Sequence, residues 1–272
     1  MTPSLGRCYY PGMDINLMVL NAGNSRLAIG VFAAGELTLV TRLTHDQKSE
    51  WGGKISEAWD KIKDVSGAAV AGACVHGGAG VLESLEQVVK ETTGQRVEWV
   101  GRDLDLPIKV LTENPKQTGV DRVVNVAAAY EQIGKACVVV DAGTAITVDL
   151  CNDAGEFLGG AIAPGVAMMI SSLHEKTATL PLVDLVVPAH PYGRNTAEAI
   201  HQGVYHGIRG MVKELVENYA TELGTWPDLI TTGGDAAKLF DGWEIVHAIS
   251  PDLTLYGIAL AYTNHYMHHD SE

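Results

Sequence analysis

The sequence predicts an α/β protein built from two similar halves. Residues Val19–Asn24 read VLNAGN, and residues Val139–Thr144, at an offset of 120 residues, read VVDAGT. In both, a glycine turn separates two apolar runs, and a second turn, Ala34-Gly35-Glu36 or Ala154-Gly155-Glu156, follows at the same offset. Two unrelated hairpins are the alternative, since Ala-Gly is a common turn dipeptide. The recurrence of the second turn in register favours an internal duplication.

The first half begins with a strand-rich segment. Residues 16–40 alternate apolar runs with the two glycine turns and predict three strands. A helix is predicted over residues 47–65, because Trp51, Ile55, Trp59 and Ile62 recur at helical spacing. The other elements expected in this half are a strand at 68–75, a helix at 80–92, a strand at 96–100 and a helix at 117–133.

The second half repeats the hairpin and then becomes helical. A strand at 136–141 opens it, and the hairpin is expected to continue through Leu158. A helix is predicted to start at Pro164, since proline suits the first helical turn. The elements expected after it are a helix at 195–223, a strand at 229–232, a helix from 236 and a helix at 255–265. Hairpins followed by crossover helices, duplicated, predict two α/β domains, over residues 14–118 and 119–265.

Composition excludes several classes of protein. The chain has 272 residues, of which 46% are hydrophobic and 19% charged, as expected of a globular protein with room for two domains. Its formal net charge of −14 argues against a nucleic-acid or anionic-membrane partner. The four cysteines lack metal-ligand spacing, and those in apolar runs read as small buried hydrophobes. Residues 1–13 have no apolar core of a secretory signal, so we expect an extension and a cytoplasmic protein.

Chemistry is concentrated at the two glycine turns. The second turn and the strand that follows, Asp141 to Thr147, read DAGTAIT. The carboxylate of Asp141 can hold a cation, the glycine lets the backbone approach an anion, and the threonine hydroxyls can donate to phosphate oxygens. In the first turn, Asn21 stands at the position that corresponds to Asp141. An ordinary hairpin with a turn aspartate is the alternative.

A second candidate site is the pair Asp121-Arg122 at a predicted helix start. Asp121 could orient or deprotonate a hydroxyl, and Arg122 could bind a carboxylate or phosphate. A helix cap with a surface ion pair is the alternative. Two glycine-rich segments, Gly159–Gly165 and Thr231–Ala236, are the kind of sequence that brings backbone close to a ligand at a helix start.

In this order the motifs resemble those of the type III pantothenate kinases, members of the actin/hexokinase superfold. That family shows Asp-x-Gly-Asn-Thr, then Asn-Pro and Gly-x-Asp-Arg, Asp-x-Gly-Thr-Ala, Gly-Gly-x-Ile-x-Pro-Gly, Asn-Thr and Thr-Gly-Gly. The matching residues here are Asn21–Ser25, Asn114-Pro115, Gly119–Arg122, Asp141–Ala145, Gly159–Gly165, Asn195-Thr196 and Thr232–Gly234. The ordered set spans roughly residues 14–265.

The resemblance implies a fold and an activity. The fold would be two duplicated actin/hexokinase-like (ribonuclease H-like) domains with a central nucleotide cleft. The activity would be ATP-dependent phosphorylation of pantothenate to 4'-phosphopantothenate, the first step of coenzyme A biosynthesis. The cofactors would be ATP with a divalent cation, Mg²⁺, and a monovalent cation, K⁺ or NH₄⁺. The protein would be a cytoplasmic homodimer.

The resemblance also implies roles for particular residues. Asp121 would be the base that faces the pantothenate hydroxyl, and Asp141 would hold the monovalent cation. The pantothenate pocket would be lined by Gly119, Val120, Asp121, Arg122, Thr112 and Thr196, the last acting on the neighbouring subunit's site. The nucleotide would be bound by Asn21, Ala22, Gly23, Asn24, Ser25, Arg26, Leu27, Ala28, Thr144, Gly233 and Gly234.

Three positions depart from the family pattern. Asn21 stands where the family has Asp, Ser25 where it has Thr, and Thr112 where it usually has Tyr. Phosphoryl transfer depends on positioning and on neutralising charge, so a lost carboxylate could weaken the handling of the metal. A catalytically weak or regulatory relative that binds nucleotide or pantothenate is therefore the alternative function.

Overall fold

The computed structural model describes residues 15–75 and 79–269. Residues 1–14, 76–78 and 270–272 lie outside the described part, and with them Cys8 and the extension expected before the fold. The chain forms two compact units. The C-terminal unit comprises Ile133–Asp252, and the N-terminal unit comprises the described residues up to Gln132 together with the last helix, which begins at Leu253.

The elements follow one another in the order that the duplication predicts. The first half contains β1 (Leu17–Ala22), β2 (Arg26–Ala33), β3 (Glu36–Thr44), a 3-10 helix (His45–Glu50), α1 (Trp51–Trp59), β4 (Ala69–Cys74), α2 (Ala79–Thr93), β5 (Glu98–Trp99), a second 3-10 helix (Pro115–Gln117) and α3 (Val120–Ile133). The second half contains β6 (Cys137–Ala142), β7 (Ala145–Cys151), β8 (Phe157–Pro164), α4 (Val166–Glu175), α5 (Thr196–Leu223), β9 (Asp228–Thr232), α6 (Ala236–Phe240), β10 (Ala248–Ile249) and α7 (Leu253–His269).

The two sheets have the same topology. Each has five strands, in the order β3-β2-β1-β4-β5 in one unit and β8-β7-β6-β9-β10 in the other. The central strand pairs antiparallel with the hairpin strand that follows it and parallel with the strand after the crossover, in both sheets. This agreement confirms the predicted α/β duplication. It also makes every position of β1 and β2 comparable with one of β6 and β7.

One face of each sheet packs on helices of its own half of the chain and forms a buried core, whereas α7 packs on the other face of the first sheet. In the N-terminal unit, Leu20 and Ala22 of β1 join a buried cluster with residues of α1 and α2. In the C-terminal unit, Val140 and Ala142 of β6 join a cluster with residues of α4, α5 and α6. Side chains alternate between faces along a strand. Asn21 and Asp141, which lie between these apolar residues, are therefore on the opposite faces of their sheets.

Two predicted helices begin elsewhere than expected. The helix expected over 47–65 is a 3-10 helix followed by α1, which ends at Trp59. The side chain of Gln47 accepts a hydrogen bond from the Thr44 N–H at 3.1 Å, and this local cap stabilises a tighter first turn. Pro164 ends β8 rather than starting a helix. It pairs with Ala145 on an edge strand, where proline's missing N–H is tolerated.

The compact units differ from the predicted division into residues 14–118 and 119–265 at two helices. Both α3 and α7 belong mainly to the N-terminal unit. Glycine makes their contact close, since a Cβ built on Gly257 of α7 would lie 2.0 Å from the Val124 carbonyl oxygen of α3. Leu255 of α7 also packs beside Gly30 of β2, at 3.0 Å from a Cβ built there. A local sequence pattern cannot predict contacts between segments this far apart in the chain.

Two smaller expectations bear on the class of protein. Cys137 and Cys151 are fully buried and Cys74 is partly buried, all as free thiols, which fits the expectation of small hydrophobes. Among the described residues, no helix is both long enough and apolar enough to span a bilayer.

Candidate active site

The first glycine turn leaves a buried oxygen without a partner. Asn21 lies next to the end of β1, and the Gly23 N–H donates to the Arg26 carbonyl at 3.0 Å to close the turn. Among the described residues, the Asn21 Oδ1 is buried and has no hydrogen-bond partner. A buried acceptor left unsatisfied costs about 1–3 kcal/mol. A ligand that supplies a donor or a cation would recover this energy.

The other predicted nucleotide-binding residues of this turn follow Asn21 directly in the chain. Ala22 ends β1, and Gly23, Asn24 and Ser25 connect it to Arg26, Leu27 and Ala28 of β2. Asn24, Ser25 and Arg26 are exposed, whereas Leu27 is buried in the core. Leu27 therefore contributes its backbone rather than its side chain to this surface.

The second glycine turn is packed closely by two further glycines. The Gly143 N–H donates to the Ala145 carbonyl at 3.1 Å. A Cβ built on Gly233 would lie 2.5 Å from Asp141 Oδ1, and one built on Gly165 would lie 2.4 Å from the Thr144 carbonyl oxygen. The structure thus brings the predicted residues Asp141, Thr144 and Gly233 together, with Gly234 next in sequence. It adds Gly165 of the segment Gly159–Gly165, for which the sequence predicts no defined role.

Asp141 lies in a row of oxygen-bearing side chains. It pairs with Thr147 of β7 on one side and with Thr232 of β9 on the other. Directly paired residues point to the same face of a sheet. Carboxylate and hydroxyl oxygens suit a hard cation. Among the described residues no group of three or more His, Cys, Asp or Glu side chains could hold a metal.

Asp121 is a partly buried carboxylate in the first turn of α3. Its Oδ1 accepts a hydrogen bond from the Arg122 N–H at 2.9 Å, and a Cβ built on Gly119 would lie only 2.7 Å from that oxygen. Burial raises the pKa of Asp121, and the hydrogen bond and charge of Arg122 oppose this only in part. Because α3 begins at Val120, Asp121 lies inside the helix. The carboxylate therefore differs from the capping, surface-paired aspartate of the alternative interpretation, and its raised proton affinity suits a general base.

Thr112 lies beside the segment that leads into α3. Its Oγ1 is 2.8 Å from the Oγ1 of the buried Thr118, which precedes Gly119. This bond closes the intervening loop with its 3-10 helix at Pro115–Gln117. The structure therefore brings Thr112 close to the predicted pocket residues of α3.

Thr196 is the exposed first residue of α5 and belongs to the C-terminal unit, unlike Asp121. The preceding Asn195 caps the helix by accepting a hydrogen bond from the Glu198 N–H at 2.9 Å. Glu198 in turn accepts one from the Arg194 N–H at 2.8 Å. These reciprocal bonds hold the helix start, and with it Thr196, in a defined conformation.

Solved structures resemble the chain over nearly its whole length. A structure described as a putative Baf family transcriptional activator from Campylobacter jejuni has a TM-score of 0.56 at 21% identity, covering 94% of this chain and 100% of that one. MreB 5 of Spiroplasma citri bound to AMPPNP has a TM-score of 0.50 at 13% identity, covering 94% and 98%. At these identities the likeness concerns the fold alone, which is the duplicated actin/hexokinase-like architecture.

Sequence comparison is more specific. Residues 17–218 match the type III pantothenate kinase family. A type III pantothenate kinase of Dehalococcoides mccartyi is 33% identical over 257 residues, covering 92% of this chain and 98% of that protein. One of Solibacter usitatus is 34% identical over 251 residues, covering 90% and 95%. The chain therefore belongs to the type III pantothenate kinase family.

Proposed function

We propose that the protein is an ATP-dependent kinase that converts pantothenate to 4'-phosphopantothenate, the first step of coenzyme A biosynthesis. The observation that carries this proposal is the partly buried Asp121, whose pKa is raised, beside Arg122 in a chain of this family. The relatives bear the name of the kinase, so the regulatory alternative is not favoured.

Each residue would have a defined task in this reaction. Asp121 would accept the proton of the substrate hydroxyl as its oxygen attacks the terminal phosphorus of ATP, and ADP would leave. Arg122 would bind the substrate carboxylate through charge-assisted hydrogen bonds. Positioning and charge neutralisation supply most of the rate enhancement in phosphoryl transfer. Asp121 therefore has to be held in place as well as deprotonated, which its Arg122 N–H bond favours.

The protein would bind the monovalent cation, and the nucleotide would carry the divalent one. Asp141, with Thr147 and Thr232 in the same row, would hold the monovalent cation, K⁺ or NH₄⁺. Such an ion would neutralise part of the phosphate charge in an acidic protein. Mg²⁺ would arrive with ATP.

A homodimer would complete the site through Thr196. Much exposed apolar surface precedes this residue, since Leu182 is 64% and Tyr192 67% exposed. Further along α5, Gly203, Gly207 and Gly210 share one helix face and have no atom within 4 Å of a built Cβ. Each glycine costs a helix about 1 kcal/mol relative to alanine. A second copy of the chain that packs closely on this face would offset that cost. A cytoplasmic location stays a prediction from composition.

The activity is tested by coupling ADP release to pantothenate. We expect ADP formation only when ATP, Mg²⁺ and pantothenate are all present, and a slower rate when K⁺ is replaced by Na⁺. Mass spectrometry of the product should show addition of one phosphate to pantothenate. ATP hydrolysis that ignores pantothenate would contradict the proposal.

The shared site makes a separate prediction. Light scattering after size exclusion should give about 58 kDa, twice the chain mass of 29.0 kDa. We expect mixtures of Asp121→Asn and Thr196→Val, refolded together, to recover activity that neither variant has alone. In a mixed dimer, one site would combine the intact Asp121 with the intact Thr196 of the other subunit. An active monomer, or a mixed dimer with no recovered activity, would rule out a shared site.

A further inference from the structure

The first sheet carries an arginine in the row of Asn21. Asn21 of β1 pairs with Ala28 of β2, and Ala28 pairs with Arg42 of β3. The three side chains therefore point to the same face of the sheet, opposite to that of Leu20 and Ala22. Further along this face α7 packs on the sheet, at Gly30. Asn21 and Arg42 are two strand spacings apart, about 10 Å between Cα atoms. Ala28 between them is small, and Arg42 is exposed.

The matching row of the second sheet has the opposite character. Asp141 pairs with Thr147, and Thr147 pairs with Ile162. Because the sheets share one topology, Asp141 corresponds to Asn21 and Ile162 to Arg42. One row thus offers an amide and a guanidinium, whereas the other offers a carboxylate, a hydroxyl and an aliphatic side chain.

A third position strengthens this contrast. Arg26 pairs with Thr44 at the start of β2, and the corresponding pair in the second sheet is Ala145 with Pro164. At the three matched positions the formal charges are therefore neutral, positive and positive in the first sheet. They are negative, neutral and neutral in the second. This local positive charge is found in a protein whose net charge is −14.

We propose that Asn21 and Arg42 form a binding site for the triphosphate chain that works without a protein-bound divalent cation. The proposal rests on the proposed function, since it names how that kinase holds ATP. The Asn21 amide N–H group would donate to a phosphate oxygen, and its buried Oδ1 would accept from a water held by the phosphates. Arg42 would bind the chain bidentately, as guanidinium groups bind phosphate.

The physical reason is the absence of a carboxylate from this row. A carboxylate beside a triphosphate repels it unless a cation lies between them. The neutral Asn21 removes this requirement from the first turn. The cation would then serve at the second turn, where Asp141 supplies a carboxylate. Affinity for ATP itself should consequently depend little on Mg²⁺, while turnover should depend on it strongly.

Calorimetric titration with ATP, in EDTA and in Mg²⁺, tests Arg42. We expect Arg42→Met to weaken ATP binding by about tenfold or more in both buffers, the scale of a charge-assisted hydrogen bond. Arg42→Lys should retain part of the affinity. The matched control is Arg96→Met, because Arg96 is 75% exposed and precedes β5 at the other edge of the same sheet. Arg96→Met should leave binding unchanged.

The same titration tests Asn21 through Asn21→Asp. We expect this variant to lose about tenfold or more of its affinity in EDTA, because the new carboxylate faces the phosphates. Mg²⁺ should restore the binding, so that affinity becomes metal-dependent. Thermal unfolding of each variant would show that the fold is retained.

The outcomes separate this inference from the proposed function. If wild type binds ATP in EDTA and phosphorylates pantothenate, yet Arg42→Met or Asn21→Asp changes nothing, this inference alone is wrong. Equal losses in Arg96→Met, or in Arg42→Lys and Arg42→Met, would also overturn it. If wild type binds ATP only in Mg²⁺, the metal-independent site is wrong and the kinase stands. A wild type that binds no ATP in either buffer overturns both proposals.

Discussion

Replacing Asp121 with Asn should lower turnover by about 10²-fold or more, the usual effect of losing a general base. ATP should still bind, because the predicted nucleotide contacts lie on other elements. The acid limb of the kcat/KM profile in wild type should also lie above the ordinary aspartate pKa of about 3.9, since burial raises the pKa of Asp121. Steady-state kinetics across pH measures both.

The same substitution should leave stability unchanged or raise it at neutral pH. The folded carboxyl of Asp121 holds its proton to a higher pH than the unfolded one, because burial raises its pKa. The folded state therefore binds more protons in that window, and the free energy of unfolding falls as pH rises through it. Asn carries no such penalty, so any gain should disappear below about pH 3.9, where both states of wild type are protonated.

Urea unfolding of wild type and Asp121→Asn at neutral and acidic pH measures this difference. The exposed Asp64 offers a matched control, since Asp64→Asn removes a carboxylate from the same unit. Asp64→Asn should leave turnover unaltered. Near-normal turnover of Asp121→Asn would remove Asp121 from the mechanism. A marked loss of stability would instead identify its carboxylate as a structural group.

Replacing Gly233 with Ala should disrupt the second turn, whereas Gly242→Ala should be tolerated. Both glycines have a positive φ, +95° at Gly233 and +69° at Gly242, so both substitutions strain the backbone by about 1 kcal/mol or more. Only Gly233 adds a clash, because its Cβ would lie 2.5 Å from the Ala142 carbonyl oxygen and from Asp141 Oδ1. Nothing lies within 4 Å of a Cβ built on Gly242.

The Ala142 carbonyl group that a Cβ at position 233 would meet is backbone, so it cannot rotate away as a flexible side chain would. We expect Gly233→Ala to cost several kcal/mol of stability, at the upper end for a single substitution. Turnover should fall at least tenfold, since Asp141, which we propose holds the monovalent cation, would be displaced. Denaturant unfolding and the ADP-release assay compare the two variants. Equal losses of stability and turnover in the two variants would show that the close packing around Asp141 adds nothing to the strain of a positive φ.

The local pattern of the sequence was sufficient for the repeated architecture. The recurrence of glycine turns between apolar runs predicted both hairpins, because turn chemistry and alternation act over a few residues. The spacing of Trp51, Ile55 and Trp59 predicted a helix where α1 forms. Its ends were predicted less well, since the cap at Thr44 and Gln47 competes with a regular first turn. The two-residue strand β10 is too short to show a period.

Local sequence patterns predicted only part of the chemistry of the candidate site. The motif residues Asp121, Asp141 and Gly233 could be named from sequence, because they stand in an ordered set of short motifs that resembles a known family. The burial that raises the pKa of Asp121 depends on what surrounds α3, and no local pattern reports it. The same holds for the docking of α7, whose Gly257 contacts α3 from the far end of the chain.

The sequence by itself thus determined the duplication, the family and the two turns, since each can be recognised from short motifs and their order along the chain. Only the tertiary structure decided which distant residues share a face with those turns. Arg42 lies beyond a second turn from Asn21, and Thr232 is far from Asp141 in sequence. Strand pairing places each in the row of its partner. Pairing register follows from burial of the apolar face of each sheet, a property of the assembled unit rather than of any segment.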